Sequence, residues 1–190
     1  MIKPRELARL PARADARRNY EALVATAEEV FIAEGTDAPL DLIARRAGVG
    51  NATLYRHFPA RRDLLVAVCV GEVEALCELA GQMRAAPDAR GALIDWIRAY
   101  IGHVSAHRGL GAALNTGTQE DDTLVAACQT AVAKAGSALL EAAVRAGEVR
   151  GDLQIADLLA VVGALAIANE NGDEERSERL LRLVVEGIAG

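Results

Sequence analysis

Asn51, Thr53 and Arg56 lie within one short stretch, NATLYRH, that brings an amide, a hydroxyl and a guanidinium onto a single turn or two of chain. These are the groups that read double-stranded DNA. An amide pairs bidentately with the adenine edge, a guanidinium with guanine, and threonine meets a base methyl or a phosphate. Asn51 and Ala52 open the stretch, at the end expected to be most exposed, and Asn51 is the expected base reader. Arg56 points outward to guanine or to the backbone, and Arg45 on the preceding helix is a further contact. The alternative for Arg45 and Arg46 is a solvated helix face.

Stepping outward, the surrounding residues, LDLIARRAGVGNATLYRHF (40–58), read as two short helices joined by a glycine turn, the form of a helix-turn-helix. Ala44 is small enough for a close helix crossing. Gly48 can take the left-handed conformation of a sharp helix exit. Leu54 points back toward Ile43 and Ala47, and Leu54 and Phe58 are assigned to the core. A first long helix is expected from about Asp15 to Glu34, with Tyr20, Leu23, Val24, Ala27, Val30 and Phe31 as its apolar stripe. Gly35 stops it, Pro39 suits the next first turn, and Phe58-Pro59 ends the reading helix.

The stretches ALVATAEEVFIAEG, IARRAGVGNATLYRHFP and ARRDLL resemble the DNA-binding end of the TetR family of bacterial repressors. The string G-V-x-x-x-T-L-Y-R-H-F-P, Gly48 to Pro59, is highly specific for that family. Further on, AHRGLGAAL and RAGEVRGDLQIADLLAVV resemble the SbtR-type C-terminal region of some members. The resemblance implies that Tyr55, His57 and the basic residue at 61, here Arg61, bond phosphates. Arg61 and Arg62 also open a helix, where free N–H groups and the dipole favour an anion. The alternatives are that Tyr55 caps the small core and that His57 is a neutral surface histidine. Three departures from the family pattern stand out. Ala60 stands where a capping serine is common, a loss of about 1 kcal/mol. Gly50 stands at the cap of the reading helix. Pro39 and Leu40 stand where many members place a Thr or Ser on phosphate.

Charge distribution agrees with a DNA-holding head. Residues 1–62 carry 11 Lys+Arg against 8 Asp+Glu, net +3, while residues 63–190 are net −9. A basic head on an acidic body holds phosphate locally and keeps the body soluble. Composition, 52% apolar with 3% aromatic and few β-branched runs, favours an all-helical fold. The expected organisation is a three-helix head at 1–62, with a basic arm over 1–14, and a helical ligand-binding and dimerisation domain at 63–190, about nine helices in all.

The body helices are expected at Arg61–Arg84, Ala89–Ala106, a short one around Leu110–Leu114, then Thr123–Ala146, Ile155–Ala168 and Glu174–Ile188. Leu158–Ala168 has no polar face, which implies burial by its own core and by a partner chain. Leu158, Val161, Val162 and Leu165, with Leu181, Val184, Val185 and Ile188, are the expected homodimer interface. The alternative is a central helix of a monomer. Polar or aromatic residues in apolar helices, Trp96, Tyr100, His103, Asn115, Gln119, Cys128 and Asn169, are the candidate effector contacts, each also readable as a satisfied core residue.

Other chemistry finds little footing. No nucleophile–base pair, phosphate-cradling glycine loop or paired carboxylates stand out, so no catalytic residue is assigned, and no cofactor is expected. His103 and His107 share a chelating spacing but lack a third ligand, so no metal site is assigned. Cys69, Cys77 and Cys128 form no C-x-x-C pair and are expected as reduced thiols in a cytoplasmic protein, with a redox sensor as the alternative. Charged residues interrupt Met1 to Arg18, so no signal peptide is expected there, and the longest uninterrupted apolar run, 11 residues, is short of the about 20 a membrane span needs. The expected partners are an operator duplex, a small-molecule effector and a second copy of the chain. The rival readings are a DNA-binding regulatory or architectural protein without an effector, and a small helical enzyme.

Overall fold

The computed structural model describes residue 11 and residues 13–106, 119–168 and 174–188. Among these residues the chain forms eight helices and no sheet. They are α1 (Ala14–Glu34), α2 (Leu40–Arg46), α3 (Asn51–His57), α4 (Arg61–Met83), α5 (Ala89–Ala106), α6 (Gln119–Arg145), α7 (Ile155–Ala168) and α8 (Glu174–Gly187). The short helix anticipated around Leu110–Leu114, and nearly all of the basic arm, lie outside the described residues. The helices divide between two compact units. The first runs through Glu74 and includes α6 as far as Cys128; the second takes Ala75–Ala106 and the chain from Gln129. The boundary anticipated at 62/63 falls inside the first unit, and α4 and α6 each pass from one unit to the other.

In the first unit, α1 packs on α2 and α3, and α2 on α3. Leu23, Ala27 and Val30 of α1, Ile43 and Ala44 of α2 and Leu54 of α3 are all fully buried. α1 ends because Gly35 turns left-handed (φ 86°) while its N–H still bonds the Phe31 carbonyl at 3.1 Å. Leu64 to Val68 and Val70 of α4 are all buried, so this part of α4 has no solvated side. Its first turn is held in two ways. The Ala60 N–H donates to the Asp63 carboxylate at 2.8 Å, the reciprocal half of a capping box; the bond a serine hydroxyl would accept from the Asp63 N–H is absent, and that N–H bonds the Ala60 carbonyl at 3.1 Å. The Arg61 guanidinium donates to the carbonyls of Thr36 (2.9 Å) and Ala38 (2.7 Å), in the loop between α1 and α2.

In the second unit, α5 packs on α7, and α7 on α8. Trp96 is fully buried and its indole N–H donates to the Leu76 carbonyl at 2.9 Å. Tyr100 lies against it, ring planes 18° apart. α6 approaches Trp96 closely because residue 136 is glycine; a Cβ there would stand 2.7 Å from the Trp96 ring and 2.8 Å from Ile155. α6 stops at Gly147 (φ 72°), whose N–H bonds the Val144 carbonyl while the next N–H bonds Ala143. Arg90 ties the start of α5 to the Glu148 carboxylate through its backbone N–H (2.8 Å) and to the Val185 carbonyl through its side chain (3.1 Å).

One stretch, Thr123–Arg145 of α6, is long and apolar enough to cross a bilayer by length and composition. Its pattern is that of a helix packed on one side. Leu124, Cys128, Val132, Leu139 and Ala143 are buried, whereas Gln129, Thr130, Lys134, Glu141 and Arg145 are exposed.

Two expectations follow. Arg61→Ala should destabilise the fold by about 2–3 kcal/mol, because two carbonyls lose a charged donor, and Arg61→Lys should recover only part; urea unfolding measures both. Gly136→Ala should lose roughly 1–2 kcal/mol, because overpacking outweighs the gain in helix propensity. Trp96 is the single tryptophan of the chain, so its emission should shift to the red in the same variant.

Candidate nucleic-acid interface

The turn from α2 into α3 is closed by two backbone hydrogen bonds. The Gly48 N–H donates to the Arg45 carbonyl (3.2 Å) and the Val49 N–H to the Ala44 carbonyl (2.9 Å). This pairing needs a left-handed residue at 48, and Gly48 has φ 67°. A Cβ at 48 would touch nothing, so the requirement is one of backbone conformation and not of space. Gly50 then caps α3 through its carbonyl alone, accepting from Thr53 (2.8 Å) and Leu54 (3.1 Å).

Leu54, fully buried, and Phe58, 2% exposed, fix the inner side of α3. The helical period therefore turns Asn51, Ala52, Tyr55 and Arg56 outward, and all four are exposed. Tyr55 is 47% exposed and does not cap the core. Thr53 is half-buried at the edge of this face. Arg45 is exposed at the end of α2, whereas Arg46 is paired with Glu34 of α1 at 2.8 Å. Among the described residues Asn51, Arg45 and Arg56 make no side-chain hydrogen bond or ion pair, so their donors face outward unengaged.

Two residues given to phosphate sit differently. His57 is half-buried, edge-on to Tyr20 and 6.2 Å from both the Tyr20 and Phe58 ring centroids, with a buried Nε2 that bonds nothing among the described residues. Burial, then the nearby Arg56 charge, hold it below the usual histidine range. The neutral ring offers a phosphate a hydrogen bond but no charge. Arg61 donates from Nη1 to the Thr36 and Ala38 carbonyls, so it clamps the loop before α2, while Nε and Nη2 make no bond among the described residues. That clamp joins residues more than 20 positions apart, so no local motif signals it. The Asp63 contact, by contrast, has a local signal, an acidic residue three positions after the helix cap.

The expected effector residues are not brought together as one set. Trp96, Tyr100 and His103 belong to the second unit and Cys128 to the first. Trp96 is a core residue with its donor satisfied. Tyr100 is half-buried, raised above the usual tyrosine range by burial, with its hydroxyl beside Gly163. Asn115, Asn169 and the Gln119 side chain lie outside the described residues. An open groove of about 580 Å³ does lie in the second unit, between the end of α6 and the start of α7, floored by Leu140, Val144, Leu153 and Ile155 and edged by Glu141 and Arg145. None of the expected effector residues lines it.

The expected dimer residues also divide. Leu158, Val162, Leu181 and Ile188 are 5% exposed or less and form the unit's own core, so they are corrected to packing positions. Leu165, Val184 and Val185 are half-buried. Val161 is 50% exposed, and the apolar surface beside it comes from Ala160 and Ala164, with Leu183 of α8 65% exposed.

Residues 23–68 match the family model described as bacterial regulatory proteins of the tetR family, and residues 88–190 match the SbtR-like transcriptional regulator C-terminal domain. A TetR transcriptional regulator from Streptomyces coelicolor is 35% identical, with a TM-score of 0.75 over 90% of this chain and 98% of that one. A TetR transcription regulatory protein from Mycobacterium vanbaalenii is 34% identical, with a TM-score of 0.76 over 95% and 100%. An uncharacterized HTH-type transcriptional regulator from Pseudomonas putida, TtgW, is 43% identical over 56 residues, 29% of this chain; the match spans 42% of that relative. With a helix-turn-helix whose polar face is turned outward, and with both its head and its body matched, this chain belongs to the TetR family of bacterial transcriptional regulators.

Proposed function

We propose that this protein is a transcriptional repressor that binds a palindromic operator as a homodimer and leaves it when a small molecule binds the second unit. The observation that carries the reading is the exposed face of α3. Asn51, Ala52, Tyr55 and Arg56 are presented by a seven-residue helix whose other side is locked by Leu54 and Phe58. A rigid short helix with an amide and a guanidinium outward is suited to the major groove. Asn51 reads adenine and Arg56 guanine. Thr53 and Ala52 touch a base methyl or the backbone. Tyr55, Arg45 and a neutral His57 hold phosphates. Arg61 contributes by positioning the loop before α2.

Pairing is supported by the outer face of α7. Ala160, Val161 and Ala164 recur at helical spacing with no charge among them, and the exposed Leu183 of α8 adds to an apolar patch that a lone copy would leave in water. Two-fold pairing would set two reading helices one helical turn apart on the duplex. Effector binding belongs to the second unit, with Tyr100 and His103 as contacts. α4 carries the signal, because it runs from that unit into the head, where Arg61 grips the loop before α2. An effector that binds one position of α4 better than another shifts operator affinity.

An operator selected from random duplexes, then varied one base at a time, tests the DNA reading. Asn51→Ala should relax preference at a single position per half-site, by about 5–150-fold. Tyr55→Phe should weaken all variants alike, and affinity should fall steeply with salt. If Asn51→Ala keeps every base preference, the assignment of Asn51 is wrong; if no duplex is selected, the repressor reading goes with it. For pairing, sedimentation should show a dimer at micromolar concentration and a monomer for Val161→Glu with Leu183→Glu. A wild-type monomer would remove the interface.

A further inference from the structure

Cys69 of α4 and Cys128 of α6 are the two thiols the fold brings together, both within the first unit. Nothing in the DNA-reading face uses them. None of the three cysteines is in a disulfide, and Cys77, eight residues further along α4, lies in the second unit. Within Leu64–Val70 of α4 every residue is buried except Cys69, which keeps a minor part of its surface exposed. Cys69 is thus where a small solute can reach a helix otherwise enclosed. Cys128 stands behind it, 7% exposed, with its S–H in hydrogen-bond contact with the Cys69 sulfur. That contact holds the Cys69 thiol below the usual cysteine range, against burial and the Glu72 charge, which both push it up. An accessible thiol with a sheltered second thiol beside it is the arrangement of an attacking and a resolving cysteine.

We propose that Cys69 and Cys128 form a reversible disulfide on exposure to a hydroperoxide, and that this bond changes operator affinity. The Cys69 thiolate attacks one peroxide oxygen. The O–O bond breaks, the other oxygen leaves as alkoxide or hydroxide and takes up the thiol's proton, and Cys69 becomes a sulfenic acid. The Cys128 sulfur then attacks the Cys69 sulfur, the S–O bond breaks, and the hydroxyl leaves with the Cys128 proton as water. Two thiols and one hydroperoxide give one disulfide, one alcohol (or water) and one water. The sulfurs must close to about 2.05 Å. The bond would pin α4 to α6 where each helix leaves the first unit: α4 five residues on, between Glu74 and Ala75, and α6 at Cys128 itself. In a reducing compartment such a bond is transient, as a sensor requires. The regulatory half rests on the operator-binding reading; the bond itself does not.

The test uses the reduced full-length protein and hydrogen peroxide or cumene hydroperoxide near stoichiometry, followed by alkylation and peptide mapping without reductant. Free thiols should fall from three to one, with one linked Cys69–Cys128 peptide pair lighter by two hydrogens and restored by dithiothreitol. Cys77→Ser should keep the link, and Cys69→Ser should lose it. Separately alkylated Cys69 and Cys128, a link through Cys77, or a link between two copies would overturn the disulfide, whatever the protein does with DNA. In the second arm, oxidation should change operator affinity by about tenfold or more in wild type and leave Cys69→Ser unchanged. A mapped bond with unchanged operator affinity would overturn the regulatory half alone.

Discussion

The hydrogen bonds from Gly48 to Arg45 and from Val49 to Ala44 can coexist only when residue 48 has a positive φ, and the functional face of the head depends on that turn. It ends α2 after seven residues and redirects the chain so that Leu54 falls into the space left by Ala44 and Ile43. Once Leu54 is buried, the period of 3.6 decides the rest: 51, 52, 55 and 56 must face out. The outward face is therefore a consequence of an inward contact. Gly50 adds no side-chain bond at the start of α3, and its carbonyl carries the capping alone.

α4 is the second constraint. A helix buried on all sides between Leu64 and Val68 cannot shift without disturbing α1 and its neighbours. At its first turn Arg61 grips the carbonyls that precede α2. Arg61 thereby ties the start of α4 to the loop that sets the start of the helix-turn-helix. A carboxyl pair links α4 to α1. Glu28 of α1 is raised to about 7 by burial, and by the Glu72 side chain, with which it shares a hydrogen bond. The contact between α1 and α4 thus favours the protonated form at a higher pH than two isolated surface carboxylates would. Because the pair's titration is coupled, that proton belongs to both groups.

The second unit rests on Trp96. Its indole satisfies its one donor on Leu76, its ring faces Tyr100, and α6 comes close only because position 136 lacks a side chain. α7 illustrates how an apolar run divides once packed. Leu158 and Val162 go inward, while Ala160, Val161 and Ala164 go outward, although all five read alike by hydropathy. Small outward residues suit close approach of another helix; large inward ones fill the core.

The helix order and most boundaries were legible in the chain, because apolar residues at helical spacing, glycines 35, 48 and 147, and prolines 39 and 59 are local signals. The reading helix was legible for the same reason: Asn51 to His57 was delimited by a turn glycine before it and a proline after it. The division of the body was not. Hydropathy cannot tell a leucine that faces its own core from one that faces a partner, so Leu158, Val162, Leu181 and Ile188 were placed in an interface and proved to be core. Nor could spacing show that Arg61 meets carbonyls 23 and 25 residues earlier, or that Cys69 meets Cys128. The sequence by itself determined what is local: where helices start and stop, and which turn must be left-handed. Only the tertiary structure decided which donors are already engaged and which thiols are neighbours, because those contacts are made by chain closure between segments that carry no mark of each other.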